Sequence, residues 1–342
     1  MHTGMGLRRV AKVMFAVGMW AGLCAAATEA RADSTIRILC PTWSGYAPVF
    51  VAQDLGYFKA LGIDVSIKFE DERPNVMAAM ARGDIEMDMR TVGEYQGKPR
   101  DSKTPGVIIG TIDQSLGGDG VIAPGDITSV EQLKGKTVAS EPNIPGRLLL
   151  QLELKKKGMT LSDLDVKQIA TADTVAVFTD PSISAVVSYQ PNLSQALDKV
   201  KQRKPHILIS SAQYPGIILD VIIVRQDDLK ANPEKYKKYM IGLFKAIEYF
   251  KTNKADFIKL AAPHFNLSPE EFAASIEGSL EYTGYKETAA YFGKPGAAGS
   301  LSKIFDEVMQ LNLENGAADH DLKGADQIDS SIVAGISEAD LK

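Results

Sequence analysis

Apolar and polar positions are patterned most clearly at residues 36–65. The apolar run Ile36–Cys40 predicts a short buried strand, which ends at Pro41 because proline has no amide proton to donate. After a turn, Pro48 and the apolar residues that follow it at three- and four-residue spacing predict a helix that ends near Gly56. The segment therefore reads as a buried strand followed by an apolar helix.

Alternating apolar residues at Ile63, Val65 and Ile67 predict a second strand after this helix. A strand, a helix and a strand in this order form a right-handed parallel crossover, whose ligand-binding groups lie at the carboxyl ends of the strands. Trp43 and Tyr46 lie on the turn after the first strand, so we expect both at that edge.

The same alternation continues along most of the chain. Further strands are predicted at 83–89, 107–112, 137–139, 166–169, 185–188, 207–210 and 217–224. After Asp227 the pattern becomes helical, at 233–253, 255–263 and 268–278, and the packing of the final helices is left open.

Two segments, near 119–123 and 219–224, are predicted to pass between two halves of the molecule. We predict an α/β fold of the type II periplasmic binding protein kind, with two lobes that each have a central sheet flanked by helices and two hinge strands between them. The predicted first lobe comprises 33–123 and 220–342, and the predicted second lobe comprises 124–219.

The first 32 residues have the pattern of a secretory signal peptide. Basic residues precede the apolar stretch Val13–Ala27, and Ala30-Arg31-Ala32 offers a cleavage site. The twin-arginine route is disfavoured because its flanking residues are missing, and lipidation of Cys24 is disfavoured because bulky Leu23 precedes it. We expect export to the periplasm and cleavage near Ala32.

Composition narrows the function classes. The chain has 342 residues, 45% of them hydrophobic, and a net charge of −5. Most charged residues of the predicted signal peptide are basic, so its removal makes the remaining chain more acidic. This negative charge argues against nucleic acid as a partner. After cleavage Cys40 is the one remaining cysteine, and its place in an apolar strand predicts a buried, inert thiol. No histidine spacing suits a metal and no glycine pattern suits a phosphate, so we expect neither metal nor cofactor.

Several segments together resemble a known family. They are TWSGYAPVFVAQDLGYFKALGIDV, MARGDIEMD, SLGGDGVIA before ITSVEQLKGKTVAS, PNIPGRLLLQLELKKKGM and AVVSYQPNLSQAL. In these the chain resembles periplasmic substrate-binding proteins of ABC importers for nitrate, sulfonate, taurine and thiamine-pyrimidine compounds. Where such relatives carry a Trp-Glu-Pro triplet, this chain has Tyr189, Gln190 and Pro191.

Most candidate ligand-binding residues follow predicted strands or open a predicted helix, and Asp220 lies within the predicted strand 217–224. The candidates are Trp43, Tyr46, Thr91, Glu94, Asp113, Asn143, Arg147, Tyr189, Gln190 and Asp220. Asn143 is expected to cap the helix 144–157, and Arg147 either faces the cleft or pairs with Glu94 or Asp113. Each acidic residue could instead serve as a cap, a hinge contact or an ion-pair partner.

Charge on the predicted cleft loops favours a cation. Glu94, Asp113, Asp119 and Asp220 outnumber the basic residues Arg90 and Arg147, and a carboxylate desolvated in a closing cleft needs a cation or a donor-rich ligand.

We therefore predict a monomeric, exported receptor without catalytic residues that captures a small cationic or amine-rich solute and delivers it to an ABC permease in the inner membrane. One alternative is an enzyme on the same fold, resembling the pyrimidine synthase of thiamine biosynthesis. Another is a ligand receptor for a membrane sensor kinase.

Overall fold

The computed structural model describes residues 34–98, 101, 104–294 and 297–342. The predicted signal peptide and Cys24 lie outside these residues. The strands, in chain order, are β1 Thr35–Cys40, β2 Asp64–Phe69, β3 Met87–Thr91, β4 Val107–Ser115, β5 Asp119–Ala123, β6 Thr137–Ser140, β7 Asp165–Gln168, β8 Ile183–Tyr189, β9 His206–Ser210, β10 Leu219–Val224, β11 Leu280–Tyr282, β12 Gly293–Lys294 and β13 Ala297–Ala298.

The helices are distributed along the whole described chain. They are α1 Ala47–Asp54, α2 Tyr57–Ala60, α3 Arg73–Arg82, α4 Val92–Gln96, α5 Pro145–Lys156, α6 Thr174–Phe178, α7 Asn192–Lys199, α8 Gln226–Ala231, α9 Pro233–Thr252, α10 Lys254–Ala261, α11 Pro269–Ile276, α12 Tyr285–Phe292, α13 Ser300–Glu314, α14 Gly324–Gln327 and α15 Ser331–Ala334. Within the described chain, we find no helix whose length and apolar character would allow it to cross a bilayer.

Two sheets organise these elements. The first has the order β11-β4-β10-β3-β1-β2, and the second has the order β7-β6-β8-β5-β9. The predicted crossover is present, because β1 pairs in parallel with both β2 and β3. The prediction of an α/β fold with two helix-flanked sheets is confirmed. We call the part built on the first sheet the first lobe and the part built on the second sheet the second lobe.

The described chain passes between the sheets through residues 116–118 and 211–218. Strand β5 belongs wholly to the second sheet, where it pairs antiparallel with β8 and β9. Strand β10 likewise belongs wholly to the first sheet, where it pairs with β3 and β4. The predicted crossings at 119–123 and 219–224 therefore both start a few residues too late in the chain. The lobe boundaries themselves stay a prediction.

Strand ends in the first lobe differ from the prediction. β3 runs on to Thr91 and β4 runs on to Ser115, where loops were expected, because β10 pairs antiparallel with both strands as far as Asp220. The expected loop after β3 is the short helix α4, for which Thr91 is the N-terminal cap.

The C-terminal helices, whose packing the sequence left open, cover the first lobe. Helix α13 packs on α4 and α12, and its buried face includes Leu301, Phe305 and Val308. This face forms a core cluster with residues of α3, α4, β4 and β10, including Met80 and Tyr95. The placement of α13 matters for function, because its last turn reaches the cleft between the lobes.

Candidate functional site

The cleft contains two neighbouring chambers, which we name by their position. The inner chamber is lined by Pro41, Trp43, Tyr46, Thr91, Glu94, Asp119, Pro145, Tyr189 and Asp220. The outer chamber is lined by residues of α4, of the α5 segment, of the chain after α13 and of the second crossing, among them Thr91, Glu94, Asn143, Pro145, Arg147, Gln151, Asn312 and Asn315. Thr91, Glu94 and Pro145 line both, so the chambers adjoin each other.

The inner chamber is narrow. Its volume is about 20 Å³, which is room for about one water molecule, whereas the outer chamber has about 250 Å³. The rings of Trp43, in the first lobe, and Tyr189, in the second, meet edge to face with centroids 6.1 Å apart. The lobes are thus closed over the inner chamber, and the outer chamber holds most of the space.

Sheet register brings the acidic residues together. Asp220 on β10 lies directly between Asp113 on β4 and Thr91 on β3. Directly opposed residues on neighbouring strands share a face, so these three side chains lie side by side. The arrangement joins parts of the chain far apart in sequence at one edge of the sheet.

Each carboxyl group on this face has a hydrogen-bond donor from the protein. Trp43 Nε1 donates to Asp113 at 3.1 Å and Tyr46 Oη donates to Asp220 at 2.6 Å. Thr91 donates through its amide and hydroxyl to Glu94 Oε2, and Arg90 Nη1 donates to Glu94 Oε1 at 3.4 Å. The first-lobe wall is therefore held in place by its own bonds.

Burial changes the protonation of these acids. It raises the pKa of Asp113 to about 8 and that of Asp119 to about 7. Burial and the neighbouring Asp113 also raise the pKa of Asp220 well above its ordinary value. A cation in the inner chamber would favour the ionised forms and oppose this effect of burial.

Two glycines let the backbone approach Trp43. A Cβ at Gly45 would lie 2.2 Å from Asp113 Oδ2, and a Cβ at Gly118 would lie 2.4 Å from Trp43 Cη2. Both positions exclude any larger residue in this arrangement. Gly118, in the first connection between the sheets, therefore packs directly against the indole.

The structure brings together six of the ten predicted site residues around the inner chamber, and they are Trp43, Tyr46, Thr91, Glu94, Tyr189 and Asp220. Asp113 lies behind Trp43 and does not line it. Gln190 also lies outside both chambers, since its side chain donates to Ser279 Oγ and accepts from the Ser194 amide.

The expectation that Asn143 caps α5 is wrong. The N-terminal cap position of α5 is Ile144, without a side-chain hydrogen bond, and Asn143 is an exposed turn residue with φ of 60°. The helix starts later than predicted because Pro145 occupies its first turn. Asn143 and Arg147 both line the outer chamber, and neither lines the inner chamber.

Of the two alternatives for Arg147, the structure has the arginine lining the outer chamber and not paired with Glu94 or Asp113. Glu94 pairs with Arg90 instead, and Asp113 with Trp43. Arg147 Nη1 is buried and has no hydrogen-bond partner among the residues that the structure describes.

Sequence reasoning missed two groups of lining residues. Asp119 was read as a hinge residue, although its pairing with Tyr189 in β5 and β8 places both at the chamber. Asn312 and Asn315 were missed because nothing in the pattern showed where α13 packs. At the cleft entrance, Gln151 Nε2 donates to the Asn315 carbonyl and Lys155 pairs with Glu314, so α5 and α13 meet there.

Comparison with solved structures defines the class of fold. The alkanesulfonate-binding protein SsuA from Xanthomonas axonopodis pv. citri, bound to MOPS, matches with a TM-score of 0.70 at 14% identity, over 87% of this chain and 99% of that one. The chain therefore has the fold of the periplasmic binding proteins, as the sequence predicted.

The chain belongs to the NMT1/THI5-like family, which matches residues 43–255. A Brucella abortus (strain 2308) protein that is named as a binding protein is 26% identical over 206 residues, 59% of this chain and 62% of that protein. The chain thus matches less than two thirds of the length of this relative. The 4-amino-5-hydroxymethyl-2-methylpyrimidine phosphate synthase THI11 of Saccharomyces cerevisiae is 24% identical over 268 residues, 72% of this chain and 73% of that one.

Proposed function

We propose that this protein is an exported solute-binding receptor that holds a small cationic or amine-rich solute between its lobes and delivers it to an ABC permease. The observation that carries the proposal is the acidic lining of the inner chamber: Glu94, Asp119 and Asp220 line it, and no basic side chain among the described residues does. The two-lobed fold, the family membership and the named binding function of the Brucella relative support the receptor role.

The chemistry of the inner chamber favours a cation over an anion. An anion placed beside Asp119 and Asp220 would meet like charge wherever these acids ionise, which is costly in a desolvated site. A protonated amine or amidine would instead favour the ionised forms of these acids and donate hydrogen bonds to them. Trp43 and Tyr189 add aromatic surface next to such a cation.

Ligand-driven closure follows from the same geometry. The inner chamber is formed by residues of both lobes, including Asp220 from the first and Asp119 from the second. A cation that contacts both acids is bound fully when the lobes meet, so binding shifts the population toward the closed form. We expect the permease to recognise that closed form.

One observation supports the alternative of an enzyme: the match to the yeast synthase covers 72% of this chain and 73% of that one. The chemistry of Cys40 argues against a cysteine-based reaction, because this thiol is buried in β1 and burial raises its pKa well above the ordinary value. We therefore retain the receptor as the proposal.

The test is a panel of solutes measured by thermal shift and by tryptophan fluorescence of the purified protein. Alkylamines, amidines and aminopyrimidines are expected to raise the melting temperature and change the fluorescence of Trp43. Binding of nitrate or alkanesulfonates alone would contradict the cationic solute, and chemical turnover of a bound solute would contradict the receptor role.

A further inference from the structure

Arg147 is the charged group that the closed lobes leave without a partner in the outer chamber. It is half-buried in α5, and its Nη1 is buried without a hydrogen bond among the described residues. Burial also lowers the pKa of its guanidinium, and no ion pair of Arg147 is found among the described residues. A guanidinium in this position is destabilising unless something binds it.

The acid closest to the outer chamber is already engaged. Glu94 lies where the two chambers join, and it accepts hydrogen bonds from Thr91 and from Arg90. Two side-chain amides on the chamber wall are engaged too, since Gln151 donates to the Asn315 carbonyl and Asn312 donates to Gly93 and Gln96. Arg147 therefore remains as the cationic group that faces the larger space.

From this geometry we infer that the solute is bipolar, with a cationic end in the inner chamber and an oxyanion end, such as a carboxylate, bound by Arg147. This inference rests on the proposed function and specifies its ligand class. The chambers adjoin at Thr91, Glu94 and Pro145, so a molecule that passes between these residues would contact both. The volumes agree with this orientation, because the inner chamber admits a small head group and the outer chamber admits the body of the solute.

The arginine also fixes the order of the two ends. Arg147 belongs to α5 of the second lobe, whereas Asp220 and Glu94 belong to the first. A bipolar solute would join the lobes through opposite charges at its two ends. A simple amine would satisfy the inner acids and leave the guanidinium without a counter-ion, so it should bind less tightly.

The experiment compares matched pairs of probes by isothermal titration calorimetry. β-Alanine, γ-aminobutyrate and δ-aminovalerate are measured beside alkylamines of the same length, with wild type, Arg147→Met and the control Arg82→Gln. Arg82 is an exposed arginine paired with Asp84, so its change alters net charge equally, away from the cleft. We expect at least one amino carboxylate to bind about tenfold or more tightly than its amine, and Arg147→Met to remove that difference.

A structural role for Arg147 is tested by the melting temperature without ligand. Loss of an uncompensated guanidinium should leave the melting temperature unchanged or raise it, whereas loss of a structural contact should lower it. Tighter binding of the amino carboxylate that persists in Arg147→Met would overturn the inference.

Failure of the inference and failure of the proposed function give different results. Amines that bind as tightly as amino carboxylates would overturn the bipolar ligand and leave the cationic solute intact. If no amine-bearing probe binds the wild type, both the bipolar ligand and the cationic solute are overturned.

Discussion

The two chambers of the cleft differ in how their charged groups are held. In the inner chamber, Asp220 and Glu94 already have hydrogen-bond donors from the protein. In the outer chamber, the guanidinium of Arg147 lacks a bond at Nη1 among the described residues. The inner chamber is thus organised before a solute arrives, and the outer chamber contains a group that a solute would satisfy.

This difference separates two ways of building a binding site. Groups with partners are fixed in geometry and lose little freedom on binding, which favours affinity. A charged group without a partner favours specificity, because a solute without the matching charge leaves it desolvated and unpaired. We expect the inner chamber to set affinity and the outer chamber to select among cationic solutes.

The largest effect is expected from Asp220→Asn. This change removes the charge while retaining an oxygen that can accept the bond from Tyr46, so we expect about a hundredfold loss in affinity for a cationic solute, about 2.7 kcal/mol. The measurement is calorimetric titration with an alkylamine that binds the wild type. Arg147→Met should change the affinity for the same amine very little.

The matched control is Asp198→Asn, which removes an exposed carboxylate that pairs with Lys201 on the surface. It should bind as the wild type does. Equal losses in Asp198→Asn and Asp220→Asn would show that net charge alone, and no feature of the inner chamber, attracts the solute.

A smaller effect is expected from Trp43→Phe, which keeps an aromatic ring and removes the donor to Asp113. A buried acceptor that loses its partner costs about 1–3 kcal/mol, so the free energy of unfolding should fall by that amount. Denaturant titration measures it. In an Asp113→Leu background the same change should cost less, since the acceptor is gone; equal costs would remove the hydrogen bond from the explanation.

A pH dependence of the stability is expected as well. Burial raises the pKa of Asp113 to about 8, so between about pH 4 and pH 8 the unfolded chain loses a proton that the folded chain keeps. The free energy of unfolding of the wild type should therefore fall, relative to Asp113→Asn, as the pH rises through this range. Melting temperatures of both proteins at a series of pH values test this, and parallel curves would contradict it.

The sequence was sufficient for the fold because the decisive patterns are local. The run Ile36–Cys40 and the alternation after it predicted β1 and β2 with nearly the observed bounds. The ends of β3 and β4 were not predictable in this way, since β10, a strand far along the chain, extends both.

The candidate site was predictable where it follows the ends of strands. That rule predicted Trp43 and Thr91 at the cleft, and both line the inner chamber. The environment of Arg147 depends on two tertiary contacts: Glu94 pairs with Arg90, and the end of α13 lies at the outer chamber. No local sequence pattern predicts either contact.

The entrance contact between α5 and α13 has a kinetic consequence. Lys155 and Glu314 are both largely exposed, and such an ion pair contributes about 0–1 kcal/mol and is weakened by salt. The lobes can therefore separate at this edge with little resistance from the rim. How long a solute stays bound would then depend on the contacts it makes deeper in the cleft, and added salt should speed the opening of the unliganded protein more than it speeds release of the solute.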